Sequence, residues 1–518
     1  MPDRYDAISI GSGLGGLTAS ALAAMEGKRA LVLERHAKIG GAASCFTRNG
    51  VLLEAGLHQI DGLDPGDVKD KLLTKLRVRE SIEFIPTGDF YAVRHPLLGE
   101  QLVMPYGADA AREAMARRFP QHAAALKTYF DTILTIRRKV ASVAQHQGAR
   151  LRWILQAPIL PIRFWIIGKH ERTCVGPFLD RLFGDDEAVK IALAANLGYY
   201  GADPDAISLL FFAAGQGSFY LGGCHYIAGG GQALSDHLAG IVRTSGGAIE
   251  TGRRVDRILI EGGRAAGVEH VDSASGEDRR VALANAVFGN AAPVQIGAML
   301  PDEQRARFDG AYGAFPCSVS LWQLYLVLDK PAASFGADAY STFVFPPWQR
   351  TLRDNAQNLH LVGADPRDRI PCYVLVDYDR LNAGIGGPGN HVAVACGLDT
   401  LANWGDLTED AYRARKAAWT EALLTALDAQ FPGIRGAVRH AEMATARTMA
   451  RYLGTPEGAI YGYSQVPSAA GRFRPTAWTP TPGLYLASAF ARPGGGFTGA
   501  MMAGAGAFRA ARRDKTLR

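Results

Sequence analysis

Tyr5-Asp6-Ala7-Ile8-Ser9-Ile10-Gly11-Ser12-Gly13-Leu14-Gly15-Gly16 is the stretch that decides the fold. Its first six residues predict a short buried strand, and residues 17–26 predict a helix that Gly27 ends. Residues 29–33 predict a second apolar strand, with Glu34 at its end. Strand, glycine turn, helix, strand and acid together are a dinucleotide-binding βαβ unit. Gly11 permits the tight turn, Gly13 lets backbone approach a pyrophosphate, and Gly16 lets helix and strand pack closely. The helix N-terminus offers free N–H groups and a positive dipole end to phosphate. A carboxylate at Glu34 is placed to accept ribose hydroxyls and to repel a 2′-phosphate.

The glycine pattern alone is weak. Gly384-Ile385-Gly386-Gly387-Pro388-Gly389 also matches it, but that copy contains a proline and leads into a strand-like run. It predicts a loop. What distinguishes the first copy is its flanking strands, helix and acid. A further pair, Gly40-Gly41, follows Glu34 and lets another backbone segment reach the pyrophosphate, which favours FAD over NAD.

The run Glu34-Arg35-His36 through Ile39-Gly40-Gly41-Ala42-Ala43-Ser44 resembles the amine oxidase and phytoene desaturase superfamily of FAD flavoproteins. Two more segments fit. Tyr226-Ile227-Ala228-Gly229-Gly230-Gly231 before a helix, then Arg254-Val255, is similar to the family's middle FAD segment. Pro493-Gly494-Gly495-Gly496-Phe497-Thr498-Gly499 is similar to the segment that covers the flavin ring. Within the superfamily the chain looks most like the retinol saturase, carotenoid isomerase and phytoene desaturase branch. Glu54-Ala55-Gly56-Leu57-His58 and Gly454–Gly462 carry that likeness, with departures at Glu54, Ser488 and Arg492.

The resemblance implies an α/β fold: a Rossmann-type, glutathione reductase-like FAD-binding domain with an inserted α+β substrate domain, a mixed sheet under a helical cap. It implies a discontinuous FAD domain of residues 1–65, 225–295 and 440–518, with 66–224 and 296–439 forming the substrate domain. Implied cofactor contacts are Gly11, Gly13, Leu14, Gly15, Gly16, Glu34, Arg35, Gly40, Gly41, Ala42, Val255, Asn290, Gly495, Gly496, Phe497 and Met501. The chemistry implied is hydride transfer at flavin N5 to or from a carbon–carbon double bond of an apolar polyene. Candidate proton-handling residues are His58, Glu54 and Tyr461, with Tyr226 also beside motif glycines. A flavin amine oxidase and a non-catalytic flavoprotein that escorts lipid or prenylated partners are the alternatives.

Composition narrows the rest. Six scattered cysteines without a CxxC pair predict neither a metal site nor a disulfide framework, and fit a reducing cytoplasm. Residues 1–30 do not read as a signal peptide, and no apolar run is long enough to span a bilayer. Residues 137–172 hold eight basic groups against one acid, Glu171, and so carry the whole excess of the +6 net charge. Within them, 151–168 mixes Trp, Pro and Arg with apolar residues. That composition predicts peripheral binding to a membrane surface. No nucleic-acid motif accompanies the charges. The oligomeric state, the particular polyene and the direction of hydride transfer are not written in the sequence.

Overall fold

The computed structural model describes residues 3–145 and 160–517. Two seven-stranded sheets organise the chain. In the first, the strand Asp3–Ile10 runs parallel to Ala30–Leu33 on one side and to Arg280–Gly289 on the other. Ala248–Glu250 extends the Ala30–Leu33 edge in parallel. Beyond Arg280–Gly289 lie two antiparallel strands, Arg264–Asp272 and Arg253–Glu261, while Leu484–Leu486 pairs with the last residues of Arg280–Gly289. Buried parallel strands need apolar side chains on both faces, and Ala7, Ile8, Leu31, Val32 and Val287 supply them. The helix Leu14–Met25 is buried along nearly its whole length, clamped between this sheet and the helices Gly231–Thr244 and Phe497–Arg513.

The second sheet is mostly antiparallel, ordered Val438–Ala444, Ser320–Leu328, His391–Asp399, Tyr373–Asp377, Ser341–Val344, Tyr91–Arg94 and Leu102–Met104. Its side chains alternate between two cores, as period-two geometry requires. Trp322, Leu324 and Leu326 pack beneath the helix Glu409–Gln430 with Trp404 and Trp419. Tyr325, Val327, Val374 and Cys396 face the other way, toward the main core. Over that face lie the helices Ala123–Gln145, Val175–Phe183 and Leu209–Gly222, which form the cap.

The second glycine match, Gly384–Gly389, lies in a loop ahead of the strand His391–Asp399, as its proline indicated. The domain boundary expected at 440 is displaced. Val438–Ala444 is a strand that pairs with Ser320–Leu328, so residue 440 falls inside the second sheet. Of the segment 151–168, residues 151–159 lie outside the described residues. The remainder forms two short helices, Leu160–Arg163 and Trp165–His170, with Ile162 and Trp165 exposed. Among the described residues no helix is long and apolar enough to cross a membrane.

Candidate functional site

A single cavity of about 1960 Å³ runs from the first glycine turn to the cap helices. Sites for drug-sized ligands measure roughly 300–1,000 Å³, so this one has room for a large cofactor and a second molecule together. Its floor begins at Gly11, Gly13, Leu14 and Gly15. Gly15 is obligatory here, because a Cβ on it would stand 1.8 Å from the Ala487 carbonyl oxygen. The second glycine pair closes on the first: Gly13 and Gly40 form a parallel bridge, and the Gly40 N–H donates to the Ser12 carbonyl at 3.1 Å.

Glu34 is buried at the end of its strand. Its Oε2 accepts the Ser12 backbone N–H at 2.9 Å and the Ser12 hydroxyl at 2.6 Å, and its Oε1 accepts the His36 N–H at 2.9 Å. Ser12 occupies one of the free positions of the glycine pattern, so nothing in the pattern singled it out. Arg35 lines the cavity and ties its guanidinium to the Arg451 and Tyr452 carbonyls. Ala42, Val255 and Asn290 also line it, and the Asn290 N–H is held by the Ile10 carbonyl at 3.0 Å.

Two helices end at this cavity without a side-chain cap or a first-turn acid: Leu14–Met25, after Gly13, and Phe497–Arg513, after Gly496. Uncapped N-termini leave N–H donors and positive dipole ends for an anionic or electron-rich ligand. Gly495, Gly496 and Phe497 line the wall, but Met501 does not. It is 1% exposed and packs in the main core, while Met502 takes the cavity side of the helix. Gly16 likewise sits behind the wall, where a Cβ would strike the Gly11 carbonyl and the Ser9 hydroxyl at 2.4 Å. The loop before Phe497 is held from beneath by Arg474, which is 1% exposed. Its guanidinium donates to the carbonyls of Tyr461, Tyr463, Ala489 and Ala491. Burial lowers its pKa to about 10.

The three candidate proton-handling residues separate. Glu54 does not line the cavity. Its Oε2 accepts the Tyr226 hydroxyl at 2.9 Å and the Gly231 N–H at 2.7 Å, and its Oε1 accepts the N–H groups of Gly56 and Leu57. Burial pushes its pKa up while those donors hold it down. It is a buried knot joining three segments, with no path to a substrate. His58 and Tyr461 both line the cavity. Burial alone holds the His58 pKa down at about 4, so its imidazole is neutral at pH 7. The His58 Nε2 lies 3.8 Å from the Cys396 sulfur, and the Tyr199 ring meets His58 edge-on. Burial raises the hydroxyl pKa of Tyr461, with Cys396 adding to it. The sequence reading missed Cys396 and Tyr199, since neither belongs to a motif.

The fold is α/β, with a Rossmann-like portion of the glutathione reductase type beside a second, mixed sheet under helices, and residues of both line the cavity. The family model described as NAD(P)-binding Rossmann-like domain matches residues 10–76. All-trans-retinol 13,14-reductase of Macaca fascicularis is 27% identical over 280 residues, 52% of this chain and 44% of that protein. The chain thus spans under half the length of that relative. All-trans-zeta-carotene desaturase of Myxococcus xanthus is 26% identical over 512 residues, covering 94% of this chain and 90% of that protein. Among solved structures, an oxidoreductase from Methanosarcina mazei superposes with a TM-score of 0.61 at 18% identity, over 96% of this chain and 99% of that one. A putrescine oxidase variant superposes with a TM-score of 0.63 at 14% identity, over 99% of both chains. The chain is related to the retinol saturase and carotenoid desaturase branch that its motifs resemble, and it carries the fold of the amine oxidases.

Proposed function

We propose that the protein is an FAD-dependent oxidoreductase acting on carbon–carbon double bonds of an apolar polyene. The observation that carries this reading is the continuity of one cavity, from the two uncapped helix N-termini to an apolar chamber under the cap. The discontinuous nucleotide domain would hold the cofactor. Gly11–Gly15 and the Gly40–Gly41 pair would receive the pyrophosphate, Glu34 a ribose, Val255 the adenine, and the Gly495–Phe497 loop the ring. When bound, FAD supplies a two-electron centre that gives or takes hydride. The chain supplies orientation and water exclusion through Tyr199, Phe343 and Tyr461, and a neutral imidazole at His58. That imidazole can hold a proton on one ring nitrogen and accept at the other without a buried charge.

The acids of the wall argue against an amine substrate. Asp61 pairs with Lys69, Asp67 with Arg137, Glu171 with Arg472, Asp256 with Arg254, and Glu442 with Arg48, while Glu34 is bound to Ser12. Among the described residues, every lining carboxylate except Glu34, at the nucleotide end of the cavity, is paired with a cation, so none beside the cap is free to meet an ammonium group.

The same reading includes peripheral membrane association. Ile162 and Trp165 are exposed, the Lys169 ammonium sits over the Trp165 ring, and Ile167 and Glu171 of the same segment line the cavity. Cations beside aromatic rings suit a headgroup interface. Liposome co-sedimentation tests it: co-sedimentation that needs anionic lipid and residues 151–168 is expected, and no co-sedimentation, or co-sedimentation indifferent to both, overturns this segment as the membrane contact.

Anaerobic titration of the purified protein with reductant and then a polyene tests the principal reading. Bound flavin whose spectrum changes on polyene addition is the expected result. Protein without flavin, or flavin that no polyene oxidises or reduces, overturns it.

A further inference from the structure

We propose that the cavity contains an end-group site, built on Arg137 and Asp67, that takes an oxygen at the terminus of an otherwise apolar chain. The proposal rests on the polyene reading above and narrows its substrate class to oxygenated molecules.

Arg137 lies on the cap helix Ala123–Gln145, is 4% exposed, and lines the cavity. Its guanidinium has five N–H donors. Among the described residues one of them finds an acceptor, the Asp67 Oδ2, at 2.7 Å from Nη2. The Nε is buried with no partner. Asp67 in turn caps the helix Val68–Lys75 by accepting the Lys69 N–H at 2.8 Å. Lys69 pairs with Asp61, and Asp61 accepts the Thr498 hydroxyl at 2.7 Å, at the N-terminus of the last helix. Two ion pairs linked through Lys69 thus sit in the lining of a cavity that also includes Val140, Ala141, Leu210, Phe211 and Phe219.

A hydrocarbon pressed against this wall would leave the cavity-facing Arg137 donors without an acceptor, as its enclosed Nε already is, an unfavourable outcome for a buried charged group. A ligand oxygen would satisfy the donors that face the cavity. Because guanidinium offers donors only, the ligand group must be an acceptor: a hydroxyl, carbonyl or carboxylate oxygen. Asp67 already neutralises Arg137, so the pair can receive a neutral or an anionic oxygen.

The experiment uses the full FAD-loaded chain and three polyenes of equal conjugation, a hydrocarbon, its terminal alcohol and its terminal acid. Binding is followed by quenching of tryptophan fluorescence. At least one oxygenated polyene is expected to bind tenfold or more tightly than the hydrocarbon. The better of the two identifies the end group. Because removing one partner of a buried pair can unfold the chain, the test variant is the double substitution D67N/R137Q. It is expected to abolish the tenfold preference while keeping flavin content and hydrocarbon affinity. Equal affinity for all three ligands in the parent, or a preference that survives in the double variant, overturns the end-group site. Loss of flavin from a double variant of unchanged Tm also overturns it, because the pair would then serve the cofactor. If none of the three binds, the polyene reading itself falls, and the end-group site with it.

Discussion

The hydroxyl of Tyr226 donates to Glu54 at 2.9 Å, joining the hairpin Cys45–Arg48/Val51–Glu54 to the strand His225–Ile227 that precedes the helix Gly231–Thr244. Glu54 also receives the Gly231 N–H, the first residue of that helix. Replacing it by alanine leaves the Tyr226, Gly56, Leu57 and Gly231 donors unmet at once. Each buried unsatisfied donor costs about 1–3 kcal/mol. E54A is therefore expected to lose at least ~3 kcal/mol in denaturant unfolding. E54Q, which keeps an acceptor oxygen, should lose less than half as much. An E54A protein as stable as its parent would show that the knot is not structural.

Glycine substitutions separate the true nucleotide turn from its imitation. In G15A the new methyl meets the Ala487 carbonyl, so strand and helix must part. The variant should purify without flavin or fail to fold. Gly384 has φ of +82° with nothing near its absent Cβ, so G384A pays only left-handed strain, about 1 kcal/mol. Its flavin absorbance should match the parent's.

His58 gives a pH dependence with a definite sign. Its folded pKa of about 4 lies below the ordinary 6.5. Between those values the unfolded chain binds a proton that the folded chain does not. Stability is therefore full above pH 6.5 and falls as pH drops toward 4. At 1.36 kcal/mol per unit the loss from His58 approaches ~3 kcal/mol. His270, held down by burial and by Arg253, titrates over the same window. The His58 share is thus the difference between parent and H58F in urea unfolding at pH 7 and pH 5. Parallel pH profiles for the two proteins would rule it out.

Arg474 offers a fourth measurement. One planar guanidinium spans four carbonyls on two segments, and lysine, a single compact donor, cannot. R474K should release the loop before Phe497, raising the dissociation constant for flavin tenfold or more with a smaller fall in Tm. Unchanged flavin affinity would show that the loop holds its shape without the clamp.

The sequence by itself determined the nucleotide turn. The demand on Gly16, set by the Gly11 carbonyl and the Ser9 hydroxyl, arises within one strand–turn–helix unit, so there spacing along the chain is spacing in space, whereas Gly13 and Gly15 are held to glycine by Asn290 and Ala487 from distant segments. The same locality made the Gly384 loop legible, because it leads straight into the strand run His391–Asp399 where a phosphate site needs a helix. Tertiary structure alone decided which nearby side chain meets the cavity. Glu54 and His58 stand four residues apart, yet one turns into a knot closed by Tyr226 and the other into the wall. Met501 and Met502 divide in the same way, since packing against the helix Leu14–Met25 fixes which face of the last helix is covered. Arg137 read as one cation of a basic segment bound for the surface. Its partner Asp67 lies 70 residues earlier, and only the packing of the cap on the helix Val68–Lys75 brings that charge into the cavity wall.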